Sequence, residues 1–254
     1  MAGRYIDLSV TLDSTPEGTP DLLAVEVART SHADGAQAIE TMLGVGPELL
    51  RNGEGWTVET ITLGTHNTTH VDAPWHYNSQ VEGKPAQTID ELPLEWFHGP
   101  GVVIDATGRE DGASVTVADL EAELERIGHD LQPGDVVLIH TGTDAFLDDP
   151  GYMAKGCGVS AEATLWLCDK GIRLMGIDAW GWDEPLWMQA AQANESGEAG
   201  VFWAAHQCDR AYCQIERLRG LDQLPPTGFE VFAFPLKVKG GSAGPSRVVA
   251  LVRD

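Results

Sequence analysis

Eleven consecutive residues, His66-Asn-Thr-Thr69-His70-Val-Asp72-Ala-Pro74-Trp75-His76, gather three of the chain's eight histidines around one carboxylate. His70 and Asp72 are two apart, so in an extended segment they project from the same face. Pro74 ends regular strand pairing and lets His76 turn back towards them. Imidazole and carboxylate on one face suit Zn²⁺, Mn²⁺ or Fe²⁺. Histidines merely hydrogen-bonded around a turn fit less well, because an aspartate flanked by histidines is costly to bury without a cation.

The elements around this segment point to an α/β protein. Arg4–Leu12 alternates Ile6, Leu8, Val10 and Leu12 in the manner of a strand, and Trp56–Leu63 reads as a half-buried strand feeding the histidines. Between them, residues 17–55 are rich in Gly, Pro, Ala and Glu, with only Ala36–Leu43 helix-like, and form a candidate arm or lid. After residue 98, short apolar runs alternate with helical segments. Gly101–Ile104, Val136–Ile139 and Arg173–Ile177 are expected strands, while Thr116, with Asp119 three residues on, and Ser160 open expected helices. Gln192–Ala199 reads as an exposed loop followed by a short helix around Phe202–Cys208. Cys213–Leu218, Gly228–Phe234 and Ser246–Val252 are strand-like with no helix between them. There is no internal repeat or convincing linker, so residues 1–254 are expected to form a single domain.

Composition bounds the partners. The 254 residues include 16 Lys or Arg and 39 Asp or Glu, a formal charge of −23. A nucleic-acid surface needs a dense cationic patch, and none is present. No apolar run approaches the roughly 20 residues that span a bilayer, and Met1–Asp7 lacks the apolar core of a secretory signal, so a cytoplasmic location is expected. Four cysteines without a CxxC pair read as free thiols. Such acidity repels anionic substrates unless a bound cation reverses the local field.

The segment His66–His76 resembles the signature His-x-Gly-Thr-His-x-Asp-x-Pro-x-His of the cyclase family of metal-dependent hydrolases, whose branches are similar to kynurenine formamidase and isatin hydrolase. Thr68 stands where the signature has glycine. The likeness continues through Tyr5-Ile-Asp-Leu-Ser9, Gly134–Leu138, Gly176-Ile-Asp178, His206, Glu216-Arg-Leu218, Phe234–Lys237 and Pro245–Arg247. It implies the swivelling β/β/α fold, a mixed sheet with flanking helices. It also implies a cation, Mn²⁺ or Zn²⁺, held by His66, His70 and Asp72, with His206 and the segment Gln214–Glu216 completing that site or building a second one. The formamidase-like branch carries a glutamate at the position of Glu216 and can bind two zinc ions, whereas the isatin-hydrolase-like branch uses a glutamine and one manganese. Gln214 and Glu216 lie two apart on one strand face, which leaves the metal count open. His76 resembles the proton carrier between water and leaving group. The other branch has a further histidine where this chain has Gln80, whose amide exchanges no proton near neutrality.

Trp75 and Tyr77 flank His76, and Trp180, Trp182 and Trp187 follow Asp178, a residue expected to orient a loop. Trp75, Tyr77, Gln80, Trp180 and Ser242 are the candidate substrate-binding residues. Gly240–Gly244 lacks the Lys-Ser/Thr ending of a phosphate loop and reads as a turn. The expected function is hydrolysis of an amide, lactam, lactone or ester bond in a small substrate by metal-activated water. The alternative is a cyclase or dehydratase using the metal as a Lewis acid. A non-catalytic binding protein fits less well, since a structural metal needs no spare proton carrier beside it. The family likeness also implies a homodimer or homotetramer.

Overall fold

The computed structural model describes residues 3–253 and divides into two compact units, one of residues 1–10 with 68–254 and one of residues 11–67. The larger unit is built on a nine-stranded sheet. Its strands are β1 Gly3–Asp7, β2 His70–Asp72, β3 His98–Asp105, β4 Val136–His140, β5 Leu174–Ile177, β6 Cys213–Glu216, β7 Phe229–Phe232, β8 Ala243–Pro245 and β9 Val249–Arg253, in the spatial order β1-β9-β7-β3-β4-β5-β6-β2-β8. The centre, β3-β4-β5-β6, is parallel, and every outer pairing is antiparallel.

Parallel strands need helical crossovers, and three helices stand in those connections: α1 Val117–Ile127, α2 Ala161–Asp169 and α3 Leu186–Ser196. The expected caps are present. Thr116 and Asp119 form a reciprocal capping box on α1, and the Ser160 hydroxyl accepts from the Ala163 N–H on α2. Both faces of the central strands are covered, which is why they read as unbroken apolar runs. Val102, Ile104, Val137 and Ile139 enter one core with Leu120, Leu124 and Leu167, while Val103, Val136 and Leu138 enter the other with Phe97, Ile215 and Val231.

Two expectations fail between α2 and β6. The polar run expected as a loop from Gln192 is the second half of α3, because Ala, Gln and Glu favour helix whatever their exposure. The helix expected around Phe202–Cys208 is a series of turns. Trp203 has φ +63°, and the N–H groups of Ala205 and His206 donate to the Asp183 carboxylate instead of to a helix carbonyl.

The smaller unit holds a helix, His32–Leu43, longer at its start than expected, and a two-stranded ribbon, Val25–Arg29 against Glu59–Leu63. The ribbon strand Glu59–Leu63 is largely exposed, not half-buried, and begins three residues later than expected. Gly35 is obligatory in this unit, since a Cβ there would stand 1.8 Å from the Trp56 carbonyl oxygen.

Candidate metal centre

Strand β2 lies between β6 and β8, with Asp72 opposite Gln214 and Ala243, and His70 opposite Glu216 and Pro245. Directly opposed residues in an antiparallel pair project to the same side. With the two-residue repeat of each strand, His70, Asp72, Gln214 and Glu216 therefore share one face, while Val71 and Ile215 turn into the opposite core. All four are buried. His70 Nε2 stands 3.1 Å from Asp72 Oδ1 and 3.6 Å from Glu216 Oε2. The ligand-type atoms of this trio lie within 4.8 Å of one another.

The backbone before β2 sets the imidazole. Thr68 has φ +60°, the left-handed region that an L-residue with a branched Cβ avoids. That turn places the Thr68 carbonyl 2.9 Å from His70 Nδ1, which holds the donor hydrogen on Nδ1 and leaves Nε2 directed at the carboxylates. Thr69, buried, ties the segment down: its hydroxyl donates to the Arg217 carbonyl at 2.7 Å and accepts from the Val10 N–H at 2.9 Å. After β2, Pro74 begins a single helical turn, Pro74–Tyr77, where its missing N–H matters least. The turn carries His76 Nε2 back to 4.0 Å from Asp72 Oδ2.

Gln214 answers the question of fit. Its side-chain NH₂ donates to the Tyr212 hydroxyl at 2.6 Å, and that hydroxyl donates onward to the Ala205 carbonyl at 2.8 Å. The chain of bonds fixes which end of the amide is oxygen. Gln214 Oε1 is left buried without a hydrogen-bond partner. A buried acceptor with no donor is destabilising, and a cation satisfies it. Imidazole nitrogen with carboxylate and amide oxygens is a donor set for Zn²⁺ or Mn²⁺.

His206 is set by a residue the motif does not contain. Its Nδ1 bonds the Asp183 carboxylate, its Nε2 faces Glu216 Oε1 at 3.4 Å, and its ring stacks on Trp203 with centroids 4.7 Å apart. Burial opposes its charged form, but Asp183 and Glu216 outweigh burial and raise its pKa to about 10. His70 behaves alike: burial lowers its pKa, and Asp72 with Glu216 reverse the effect to a net rise. Glu216 is not the surface ion-pair partner of a neighbouring arginine; it is buried and accepts from the Trp182 N–H at 3.0 Å.

The Cyclase family model matches residues 6–184. The chain belongs to that family. A kynurenine formamidase of Salinibacter ruber is 32% identical over 196 residues, 77% of this chain and 79% of that protein. One of Maricaulis maris is 30% identical over 220 residues, 85% of this chain and 88% of its own. Among solved structures, isatin hydrolase A from Ralstonia solanacearum superposes with a TM-score of 0.75 at 28% identity, covering 99% of this chain and 92% of that one. The mixed α/β fold expected from the sequence is thus that of its cyclase-family neighbours.

The other expected residues fall in different places. His66 is partly buried in the last residues of the 11–67 unit. Tyr77 is buried, with its hydroxyl donating to the Tyr212 carbonyl at 2.5 Å and its ring stacked on Tyr212, so it supports the residue that orients Gln214. Trp75 is exposed, Trp180 partly so, and Gln80 is exposed on a small hairpin against Pro85. The Ser242 carbonyl accepts the Ala73 N–H at 2.9 Å. Asp178 has the loop-orienting role expected of it, accepting from Thr141 N–H, Thr141 Oγ1 and Gly142 N–H at 2.7–2.8 Å. His140 and Asp144 lie beside it, but with Asp178 committed to these bonds the group secures the loop after β4.

Sequence reasoning missed Asp183 and Tyr212. Asp183 is 23 residues from His206, and no local spacing marks the pair.

Proposed function

We propose that this protein is a metal-dependent hydrolase that opens an amide or lactam bond in a small substrate, of the kind that formamidases and isatin hydrolases cleave. The observation that carries this reading is the single buried face of His70, Asp72, Gln214 and Glu216, in which Gln214 Oε1 has no protein donor. His66, from the family signature, and His206, from the wider family likeness, are proposed to complete the ligand set. A cation held there would polarise the substrate carbonyl and lower the pKa of a water.

The remaining steps belong to the chain. His76, 4.0 Å from Asp72 and packed edge-on against Trp203, is in position to take a proton from water and return it to the leaving nitrogen. Asp183 keeps His206 in one ring orientation. Trp75, Trp180 and Ser242 are proposed to contact substrate. Tyr77 is left out of that role because its ring and hydroxyl are both occupied, and Gln80 is proposed to contribute orientation alone.

The ion is proposed to be Mn²⁺ or Zn²⁺ and the assembly a homodimer or homotetramer, with residues 17–55, inside the 11–67 unit, serving as the arm. A cytoplasmic location is supported by four free, buried thiols. Among the described residues no helix is long and apolar enough to cross a membrane.

The test loads the metal-free protein with Mn²⁺ or Zn²⁺, measures retained metal, and offers N-formyl anilides, lactams and lactones while following product mass. Stoichiometric metal and the addition of one water are expected. Asp72→Ala should lose both metal and turnover. Full metal content in that variant, or turnover without gain of water, refutes the proposal.

A further inference from the structure

Arg217 follows β6 with φ +58°, a strained conformation for a residue with a Cβ. It is held there by its neighbours: its N–H donates to the Ala179 carbonyl at 3.1 Å, and its carbonyl accepts the Thr69 hydroxyl at 2.7 Å. The turn lays the guanidinium over Trp180, with its central carbon 3.5 Å from the ring centroid. Nε reaches the Trp180 carbonyl at 3.5 Å, and among the described residues nothing accepts from the terminal nitrogens.

Arg29, Arg109, Arg126, Arg210, Arg247 and Arg253 each reach an aspartate or glutamate within 4.0 Å. Arg217, partly buried in a protein with 39 acidic residues, reaches none of them within that distance; among the described residues Arg4, Arg51, Arg173 and Arg219 also form no such pair, but Arg173, the other partly buried one, stands 5.9 Å from its tryptophan ring against 3.5 Å for Arg217. Trp182, two residues after Trp180, donates its N–H to Glu216 at 3.0 Å, so the guanidinium stacked on Trp180 lies beside the ligand face. A planar cation held by stacking, with two terminal amino groups unused, is preorganised for bidentate binding of a carboxylate.

We propose that Arg217, stacked on Trp180 beside the face of His70, Asp72, Gln214 and Glu216, is a carboxylate-binding site, so that the enzyme selects substrates bearing a carboxylate apart from the bond that is cut. The selection of substrates rests on the hydrolase reading; the carboxylate binding does not.

The experiment compares benzoate with its neutral isostere benzamide by titration calorimetry on metal-loaded protein, with metal content checked in each sample. Wild type should bind benzoate at least about tenfold more tightly than benzamide, the scale of one charge-assisted bidentate contact. Arg217→Met should lose that preference with its metal intact. Arg217→Lys keeps the charge and the fold but lacks the fork, and should bind benzoate about threefold or more weakly; it decides the matter if the methionine variant does not fold. No preference in wild type, or a preference kept in Arg217→Met, or unchanged benzoate binding in Arg217→Lys, overturns the assignment. In a kinetic arm, 4-formamidobenzoate against formanilide should show the loss in KM for the acid alone. Absence of turnover in wild type would count against the hydrolase reading and leave the calorimetric result standing.

Discussion

Replacing Thr68 by glycine should stabilise the protein although it removes a side chain. Thr68 holds φ +60°, where the Cβ of an L-residue crowds the following carbonyl at about 1–2 kcal/mol, more for a branched side chain than for alanine. Glycine adopts this conformation freely, but its unfolded chain gains entropy worth about 0.5–1 kcal/mol. The difference favours Thr68→Gly by about 0.5–1 kcal/mol, or about 1–4 °C in Tm for a unit of this size. The carbonyl that bonds His70 Nδ1 belongs to the backbone and survives, so metal affinity should change by less than about twofold. Thr68→Ala is the control, because it removes the hydroxyl and the branch but keeps the Cβ, and should remain near wild type. Calorimetric melts of metal-free and metal-loaded protein give the answer. A lower Tm for Thr68→Gly, or equal gains for glycine and alanine, would mean that backbone strain is not what distinguishes this position.

Further expectations concern the proton route, the ligand support and acid stability. His76→Ala should retain its metal and lose about 10² or more in rate, whereas Gln80→Ala should lose far less; loss of metal from His76→Ala, by elemental analysis, would make His76 a ligand. Asp183→Asn removes the carboxylate from His206 Nδ1 and should weaken metal binding about 10–100-fold in a chelator competition, with circular dichroism unchanged; wild-type affinity would deny Asp183 a positioning role. The Arg109 hydrogen bond, opposed by slight burial and aided by Thr116, lowers the Asp119 pKa to about 2. A depressed folded pKa contributes stability above the ordinary value of 3.8 that is lost as pH falls towards and through about 2. Asp119→Asn should cost about 1 kcal/mol at neutral pH, and melts from pH 5 to about 2.5 should show the deficit narrowing; a constant deficit would exclude this linkage.

What could be read from the sequence was whatever depends on neighbours in the chain. His70 and Asp72 announce a shared face because strand periodicity is local, and Thr116 with Asp119 announces a helix start because a capping box spans one turn. The family likeness carried the fold further, and the matching model over residues 6–184 bears it out. Partners brought together by topology left no such trace. Asp183 meets His206 only because the turns after α3 return the chain to the end of β5, and those same turns defeated the helix expected at Phe202–Cys208. Tyr77 looked like a pocket wall because it flanks His76, but its register turns it towards Tyr212. The arm expected at residues 17–55 corresponds to the middle of a unit that spans 11–67, whose ribbon is too exposed to show a clean alternation of apolar residues.

The pairing of Gln214 with Glu216 bears on the charge of the centre. Both face the same side of β6, so alternation alone does not choose between them. Tyr212 makes the choice unnecessary, because its hydroxyl accepts from the Gln214 amide NH₂ and leaves the amide oxygen, a neutral ligand atom, on the same side as the carboxylates of Asp72 and Glu216. With a divalent cation in place, two carboxylates balance its charge, and a third anionic ligand would leave the face negative. The neutral amide avoids that. With one divalent cation bound there, Arg217 would stand beside a centre balanced in charge, inside a chain of formal charge −23 that otherwise repels acids. The glutamine at 214 and the arginine at 217 are in this sense one arrangement. With one divalent cation bound, the first would keep the face from being negative, and the second would make its surroundings able to hold a carboxylate.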